Sequence, residues 1–206
     1  MKVTNKIMLH FHKKGIWDEK WYQGNEILVD ENFNSYYANI LKFFNTAVDT
    51  TDNTRQSFDR IINGYLKEKQ TEETLIQLLK EAGQIILYTN IFKREKALEE
   101  VRLQKYNHLP SRKHSIWVTD EKSKNFWKDA LFDKTENNPH QLALFKVSLT
   151  GELFKSSDYF LPDNELTYEE ILKQAEKYWN PDYSAVKGDA SEYLFQGKLK
   201  ILKKLT

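Results

Sequence analysis

Hydrophobic and polar residues alternate near the start of the chain, and a period of two is typical of a β-strand with one buried face. The strand is predicted over residues 6–12. Leu9 and Phe11 fall on one face of this strand, and His10 and His12 fall on the other. The two imidazoles are therefore expected side by side.

A similar alternation runs through residues 191–202, interrupted by Gly197. Alternating runs on both sides of a glycine are typical of a β-hairpin, so we predict one here. Glu192 stands at the beginning of its first strand. Because strand interiors disfavour glutamate, we expect this carboxyl group to face water or a cleft.

Between these two terminal segments, the spacing of the apolar residues is mainly that of α-helices. Apolar residues recur three and four positions apart from residue 33 to about residue 105, with the longest candidate helix at residues 85–102 and another beginning after Thr71. The later predicted elements are strands at 26–29, 115–118 and 142–149, a turn at 150–151 with a partner strand at 152–154, a helix from 119–121 to about 131, and a helix that begins at Thr167 and ends before Pro181. This order predicts an α+β fold with a mixed or antiparallel sheet.

Composition limits the classes of protein that fit. The 206 residues are 40% hydrophobic and include no obvious linker, so we predict one domain over residues 1–206. The net charge of +1 gives no general attraction to nucleic acid. No cysteine is present, which rules out disulfides and thiolate chemistry and fits a reducing compartment. No run approaches the roughly 20 apolar residues of a membrane span, and no signal peptide is visible. We therefore expect a cytoplasmic protein.

Several side chains could carry chemistry, and each also has a plain structural interpretation. The histidine pair could bind a metal, but no acidic or cysteine ligand accompanies it at a recognisable spacing, so we predict none. His12 could instead bond a ligand hydroxyl.

A second group of candidates lies in the middle of the chain. Trp117 and Phe126 are either core residues or two walls of a slot for a flat ring, in which Ser123 would hydrogen-bond an amide. Arg112 is either a surface arginine or a phosphate ligand.

These pieces together resemble the ADP-ribosyltransferase superfamily, whose signature is a histidine, an aromatic residue and a glutamate on separate strands. Residues 9–15 look like its first-strand motif with His12 in the histidine position, and residues 115–118 look like its second with Trp117 in place of the usual tyrosine. Residues 122–126 are similar to the Lys-Ser-x-x-Tyr helix of poly-ADP-ribose-polymerase-like members, and residues 192–201 resemble the terminal glutamate strand and hairpin. Segments 100–102, 109–112 and 175–179 also look like an uncharacterised bacterial or phage branch.

The resemblance implies a split mixed or antiparallel sheet with a helical insertion at about residues 33–82, and NAD as the substrate. The resemblance also implies that the residues that bind NAD line one groove. Glu192 would be the catalytic acid beside the ribose, His12 would hold the adenosine-side ribose, Trp117 and Phe126 would flank nicotinamide, Ser123 would bond its carboxamide, and Arg112 would bind the diphosphate. The residue two before Glu192 is Ala190, so the Gln/Glu-x-Glu pair of many members is absent. That departure leaves the acceptor open between protein, nucleic acid and water.

Other functions stay open. An NAD glycohydrolase would transfer to water, an inactive module of the same fold would only bind, and the aromatic-rich block at 33–66 would suit a helical adaptor. Stand-alone domains of the resembled superfamily are often toxins or phage-defence effectors, which implies a possible antitoxin partner. Lysines near the proposed motifs could steer a polyanion or simply solvate the surface: Lys13, Lys14, Lys113, Lys122, Lys124 and Lys128.

Overall fold

A computed structural model describes residues 1–13, 18–33, 47–49, 55–67, 71–131, 142–185 and 190–205. Its strands are β1 (Lys2–Lys13), β2 (Glu26–Val29), β3 (Ala47–Asp49), β4 (Arg55–Ser57), β5 (Ile116–Val118), β6 (Leu142–Ser157) and β7 (Ser191–Lys204). Its helices are α1 (Phe58–Leu66), α2 (Glu72–Lys105), α3 (Lys124–Leu131) and α4 (Tyr168–Trp179). The predicted α+β class is confirmed. No helix in these ranges is long and apolar enough to span a membrane.

The main sheet has five strands, and every pairing in it is antiparallel. Its order is β1-β6-β7-β2, and β5 pairs with another stretch of β7. The sheet is curled, because β1 at one edge also reaches β5 at the other. There Leu9 and Thr119 exchange two backbone hydrogen bonds of 2.8 Å.

Two predicted hairpins prove to be single long strands. Residues 142–154 lie within β6 and residues 191–202 lie within β7, so neither predicted turn exists. Gly151 and Gly197, read as turn residues, are instead paired with each other across the two strands. A Cβ atom on Gly151 would lie 2.2 Å from the carbonyl oxygen of Gln196, so the glycines allow the two backbones to approach closely.

Apolar side chains pack on both faces of the sheet. The first face carries a strand-based core that includes Phe145, Val147 and Leu153. The second face is covered by α2 and α4, where Leu98, Phe154, Tyr178, Trp179 and Leu194 belong to one cluster. Each large side chain buried in this way contributes about 1.5–3 kcal/mol to folding. The second face is where the candidate site lies.

The helices follow their capping signals closely. Thr167 and Glu170 form the predicted capping box at the start of α4, and the helix ends at Asn180 before a proline. The two helices predicted between Thr71 and residue 102 are one helix of 34 residues. The helical prediction is wrong at residues 47–49 and 55–57, which form the β3–β4 pair. Residues 34–46, including much of the aromatic block, lie outside the described residues, and the single-domain assignment stays a prediction.

Candidate functional site

Three strands that carry the resembled motifs meet in the sheet. Trp117 of β5 is paired with Leu194 of β7, two residues from Glu192. β1 joins them through the Leu9–Thr119 bridge and through His10, whose Nδ1–H donates to the carbonyl oxygen of Trp117 at 2.8 Å. The fold thus joins segments that lie 107 residues apart between His10 and Trp117.

His10 is neutral in this position. Its pKa is lowered to about 4, mainly by burial and to a lesser degree by the imidazole of His12, against the opposing effect of the hydrogen bond to Trp117. An imidazole that donates from Nδ1 keeps a lone pair on Nε2. His10 therefore serves as an uncharged link between β1 and β5.

Glu192 does not face water, which corrects one of the two alternatives expected from the sequence. The residue is 4% exposed, and its Oε1 accepts hydrogen bonds from Arg112 Nη1 at 2.9 Å and from the hydroxyl of Tyr178. The physical reason is the face of β7 on which it lies. Leu194, two residues further on, packs under α2 and α4, and the same alternation directs Glu192 to that covered face.

Arg112 is the centre of a buried polar network rather than a surface residue. Its Nε and Nη2 donate to the two oxygens of Glu95 at 2.7 and 3.0 Å, and its Nη1 donates to Tyr178 and Glu192. The guanidinium also lies 5.3 Å from the ring of Trp117. Four of its five N–H groups are used within this network and the side chain is 5% exposed, which argues against the predicted role as a diphosphate ligand.

Glu95 and Arg112 keep their charges despite burial. Burial alone would raise the pKa of Glu95, but Arg112 and Arg94 outweigh it and hold that pKa below its usual value. Burial would lower the pKa of Arg112, yet Glu95, Tyr178 and Glu192 raise it well above the ordinary value. The pKa of Tyr178 is raised by burial and by Glu192, against Arg112, so its phenol stays protonated and donates.

Ser123 fixes the residue next to Glu192. It is 1% exposed, and its Oγ accepts the backbone N–H of Ser191 at 3.2 Å. The carbonyl oxygen of Ser191 accepts from Trp127 Nε1 at 2.8 Å and from the hydroxyl of Thr119 at 3.3 Å. The start of β7 is therefore held firmly from the β5–α3 segment.

The two aromatic residues of the predicted slot have different surroundings. Trp117 is partly buried and packs against the second-face cluster, next to Arg112. Phe126 is 38% exposed on α3 and contacts Trp127 edge-on at a centroid distance of 5.1 Å. Of the two, Trp117 lies beside the Glu192 network.

His12 projects from the other face of the sheet. It pairs in register with Ala143, and its ring lies 6.2 Å from that of Phe145, both of which belong to the first-face core. Its ring stacks on Trp21 at 4.7 Å. Trp117 and Glu192 therefore lie on the same face of the sheet, whereas His12 lies on the opposite face in a separate aromatic cluster.

Sequence reasoning did not identify Glu95 and Tyr178 as members of the site. Tyr178 lies within a segment that carries the resemblance, but it is predicted only as part of the apolar face of α4. Glu95 is one of many charged residues in α2, and its position 17 residues before Arg112 gives no periodic signal. Only the packing of α2 and α4 onto the sheet brings the two side chains together.

A comparison with known families gives one match. The sequence profile of DUF2441, described as a protein of unknown function, matches residues 8–206. This range includes every residue of the Glu192 network and both histidines of β1. No curated protein matches the chain. Since the match covers nearly its whole length, the chain belongs to the DUF2441 family.

Proposed function

We propose that this protein is an NAD-dependent ADP-ribosyltransferase that moves ADP-ribose from NAD to a macromolecular acceptor, either a protein or a nucleic acid. The observation that carries the proposal is the meeting of β1, β5 and β7 in one antiparallel sheet. These are the strands on which the resembled histidine, aromatic and glutamate motifs lie. In this proposal the curled sheet corresponds to the split sheet of that superfamily.

The proposed chemistry centres on the carboxylate of Glu192. Both hydrogen bonds that the described residues make to it end on Oε1, which leaves Oε2 for a ribose hydroxyl. As the glycosidic bond breaks, its electron pair leaves with nicotinamide and the ribose acquires positive charge. A fixed carboxylate in a poorly solvated site stabilises that charge by several kcal/mol. The acceptor nucleophile then forms the new bond to the ribose and loses its proton.

The remaining roles follow from position. Trp117, on the same face as Glu192, would contact the nicotinamide ring, and Phe126 would complete the slot from α3. Ser123 accepts from Ser191, and its side chain also hydrogen-bonds the carboxylate of Asp120, so its hydroxyl would have to turn away from Asp120 in order to bond the carboxamide. For His12 the role at the adenosine-side ribose rests on the resemblance alone, because its side chain lies on the face of the sheet opposite Glu192. Because Glu192 is 4% exposed, NAD must open the surface above it in order to bind.

The wider biology rests on the resemblance alone. We propose that the protein acts in the cytoplasm on intracellular NAD, as a toxin or phage-defence effector with an antitoxin as its partner. No metal is part of this scheme.

The test uses NAD labelled in its adenosine half, incubated with the protein and cell extract. Label that follows protein, DNA or RNA supports the transferase and identifies the acceptor class. Recovery of all lost NAD as free ADP-ribose would replace the transferase by a glycohydrolase. No loss of NAD with any extract would contradict both enzymes.

A second candidate is a binding module of the same fold without turnover. The observation that favours it is the burial of Glu192 in an ion pair with Arg112, since a compensated carboxylate is a weaker partner for a developing cation. Titration calorimetry with NAD, run beside a nicotinamide-release assay, separates the two candidates. Binding without release supports the module, and release supports the enzyme.

A further inference from the structure

We propose that Arg112 and Tyr178, braced by Glu95, are positioning residues that hold one oxygen of Glu192 so that the other faces the substrate ribose. This inference rests on the proposed function, because it assigns a purpose to the network around the proposed catalytic acid. It gives Arg112 a role different from that of a diphosphate ligand.

The hydrogen bonds to the two carboxylates are distributed unequally. Glu95 receives Arg112 with both oxygens, in the fork-to-fork geometry that fixes a guanidinium most firmly. From the described part of the chain, Glu192 receives two donors, both on Oε1, one from Arg112 and one from Tyr178. Glu95 therefore fixes the orientation of Arg112, and Arg112 with Tyr178 fixes Oε1 and the rotation of the Glu192 carboxyl.

The helices supply rigid supports for this arrangement. Glu95 lies on α2 and Tyr178 on α4, and both side chains are buried against the sheet. The ring of Tyr178 also packs against the guanidinium of Arg112 at 4.7 Å. A group held on packed helices keeps its geometry better than one on a loop.

An ion pair of purely structural value would be a poor explanation of this network. Buried pairs gain little stability over apolar residues of similar size, because desolvation offsets the attraction. Burying four polar side chains around one end of β7 thus has a large desolvation cost, and the stability gained by their mutual attraction does not by itself explain why they are there. A defined orientation of the Glu192 carboxyl is the property that they supply and that apolar residues could not.

The decisive variant is Tyr178→Phe, which removes one donor to Oε1 and keeps the ring. We expect kcat for nicotinamide release to fall about tenfold to a hundredfold, the usual result of a small misplacement of a reacting group. The KM for NAD should change less than about twofold, because the missing hydroxyl does not contact the substrate. Tyr168→Phe is the matched control. It lies on the same helix and also donates to a carboxylate, that of Glu100 at 2.7 Å.

A second variant, Glu95→Gln, keeps the shape of the brace and removes its charge. We expect kcat to fall and the acid limb of the pH–rate profile to move, since Arg112 would then interact with one carboxylate instead of two. Arg112→Lys should not keep the wild-type kcat, because a lysine cannot make the forked contacts of the arginine.

The outcomes separate the two proposals. A wild-type protein that releases no nicotinamide overturns the proposed function and this inference with it. A wild-type protein that is active, with Tyr178→Phe as fast as Tyr168→Phe, overturns only this inference. If Tyr178→Phe does not fold, the kcat and pH profile of Glu95→Gln decide, and an unchanged profile is the overturning result.

Discussion

Arg112 is a buried charge whose desolvation has to be balanced by neighbouring side chains. It is 5% exposed and interacts with two carboxylates, Glu95 and Glu192, that are themselves buried. Its removal would leave two negative charges in a poorly solvated interior, where Arg94 pairs with Glu95. The energetic importance of this residue therefore comes from what it neutralises more than from any single bond.

The first prediction concerns the stability that Arg112 supplies. Arg112→Met should lower the free energy of unfolding by about 3–5 kcal/mol, as expected when one partner of a buried ion pair is removed. Lys105→Met is the control, because its ion pair with Glu176 is half exposed on both sides and should leave the urea midpoint almost unchanged. Equal urea midpoints for the two variants would contradict the buried network.

His10 gives a prediction about pH. Its pKa is lowered from 6.5 to about 4 in the folded protein, so the unfolded chain binds a proton that the folded protein refuses between these values. Stability from this group is complete above pH 6.5 and falls as the pH drops towards 4, by about 3 kcal/mol in total.

Urea unfolding at several pH values measures this effect. His10→Gln should flatten the fall in stability between pH 6.5 and 4, whereas substitution of the exposed His108 by glutamine should leave the slope as it is. A His10→Gln variant with the wild-type slope would show that the imidazole is not buried against Trp117.

Among the elements, the long antiparallel pair of β6 and β7 forms the middle of the sheet. Gly151 has φ 157° and Gly197 has φ 136°, and the two residues are paired where the backbones approach most closely. A Cβ on Gly197 would lie 2.5 Å from the carbonyl oxygen of Thr150. Both the backbone angle and the lack of space therefore require glycine.

The corresponding prediction compares two glycines. Gly197→Ala should lower the free energy of unfolding by about 3 kcal/mol, from strain and overlap together. Gly83→Ala, in the middle of α2 with nothing within 4 Å of its added Cβ, should raise it by about 0.5–1 kcal/mol. Chemical denaturation of both variants gives the sign and size. A neutral Gly197→Ala would contradict the close approach.

Elements were predictable where the signal is local. Thr167 and Glu170 specify the start of α4 by themselves, and the alternation around His10 and His12 specifies a strand. The two long strands could not be distinguished from hairpins, because alternation on both sides of a glycine looks the same when the glycine forms a turn and when it lies inside a continuous strand. The single helix α2 was missed for a similar reason, since one Gly83 weakens a helix without ending it.

The strands that carry Trp117 and Glu192 were predictable from the sequence, whereas the hydrogen-bond network around Glu192 was not. The resemblance led us to expect Trp117 and Glu192 in one groove, and the observed pairing of β5 with β7 puts the two side chains on the same face of the sheet. The bonds from Arg112 to Tyr178 and Glu192 span 66 and 80 residues, and no local pattern reports such contacts. The burial of Glu192 could not be anticipated for the same reason, as it depends on which face α2 and α4 cover.

At the scale of the whole molecule, the sheet brings the two ends of the sequence together. β1 and β7 flank β6 on either side, and the backbone nitrogen of Met1 donates to the carbonyl oxygen of Leu153 at 2.9 Å. The curl then brings β1 to β5. The proposed site depends on this closure, since each motif lies on a different strand and gains its neighbours only in the folded sheet.

The central claim is that Glu192 drives cleavage of NAD. The most direct measurement is nicotinamide release from NAD by the wild-type protein and by Glu192→Gln, with Glu152→Gln, a change outside the Glu192 network, as the control and with folding checked by thermal unfolding. We expect release by the wild-type and control proteins and none above background by Glu192→Gln, because glutamine keeps the shape and the Oε1 contacts but not the charge. Release at the wild-type rate by a folded Glu192→Gln variant would contradict it.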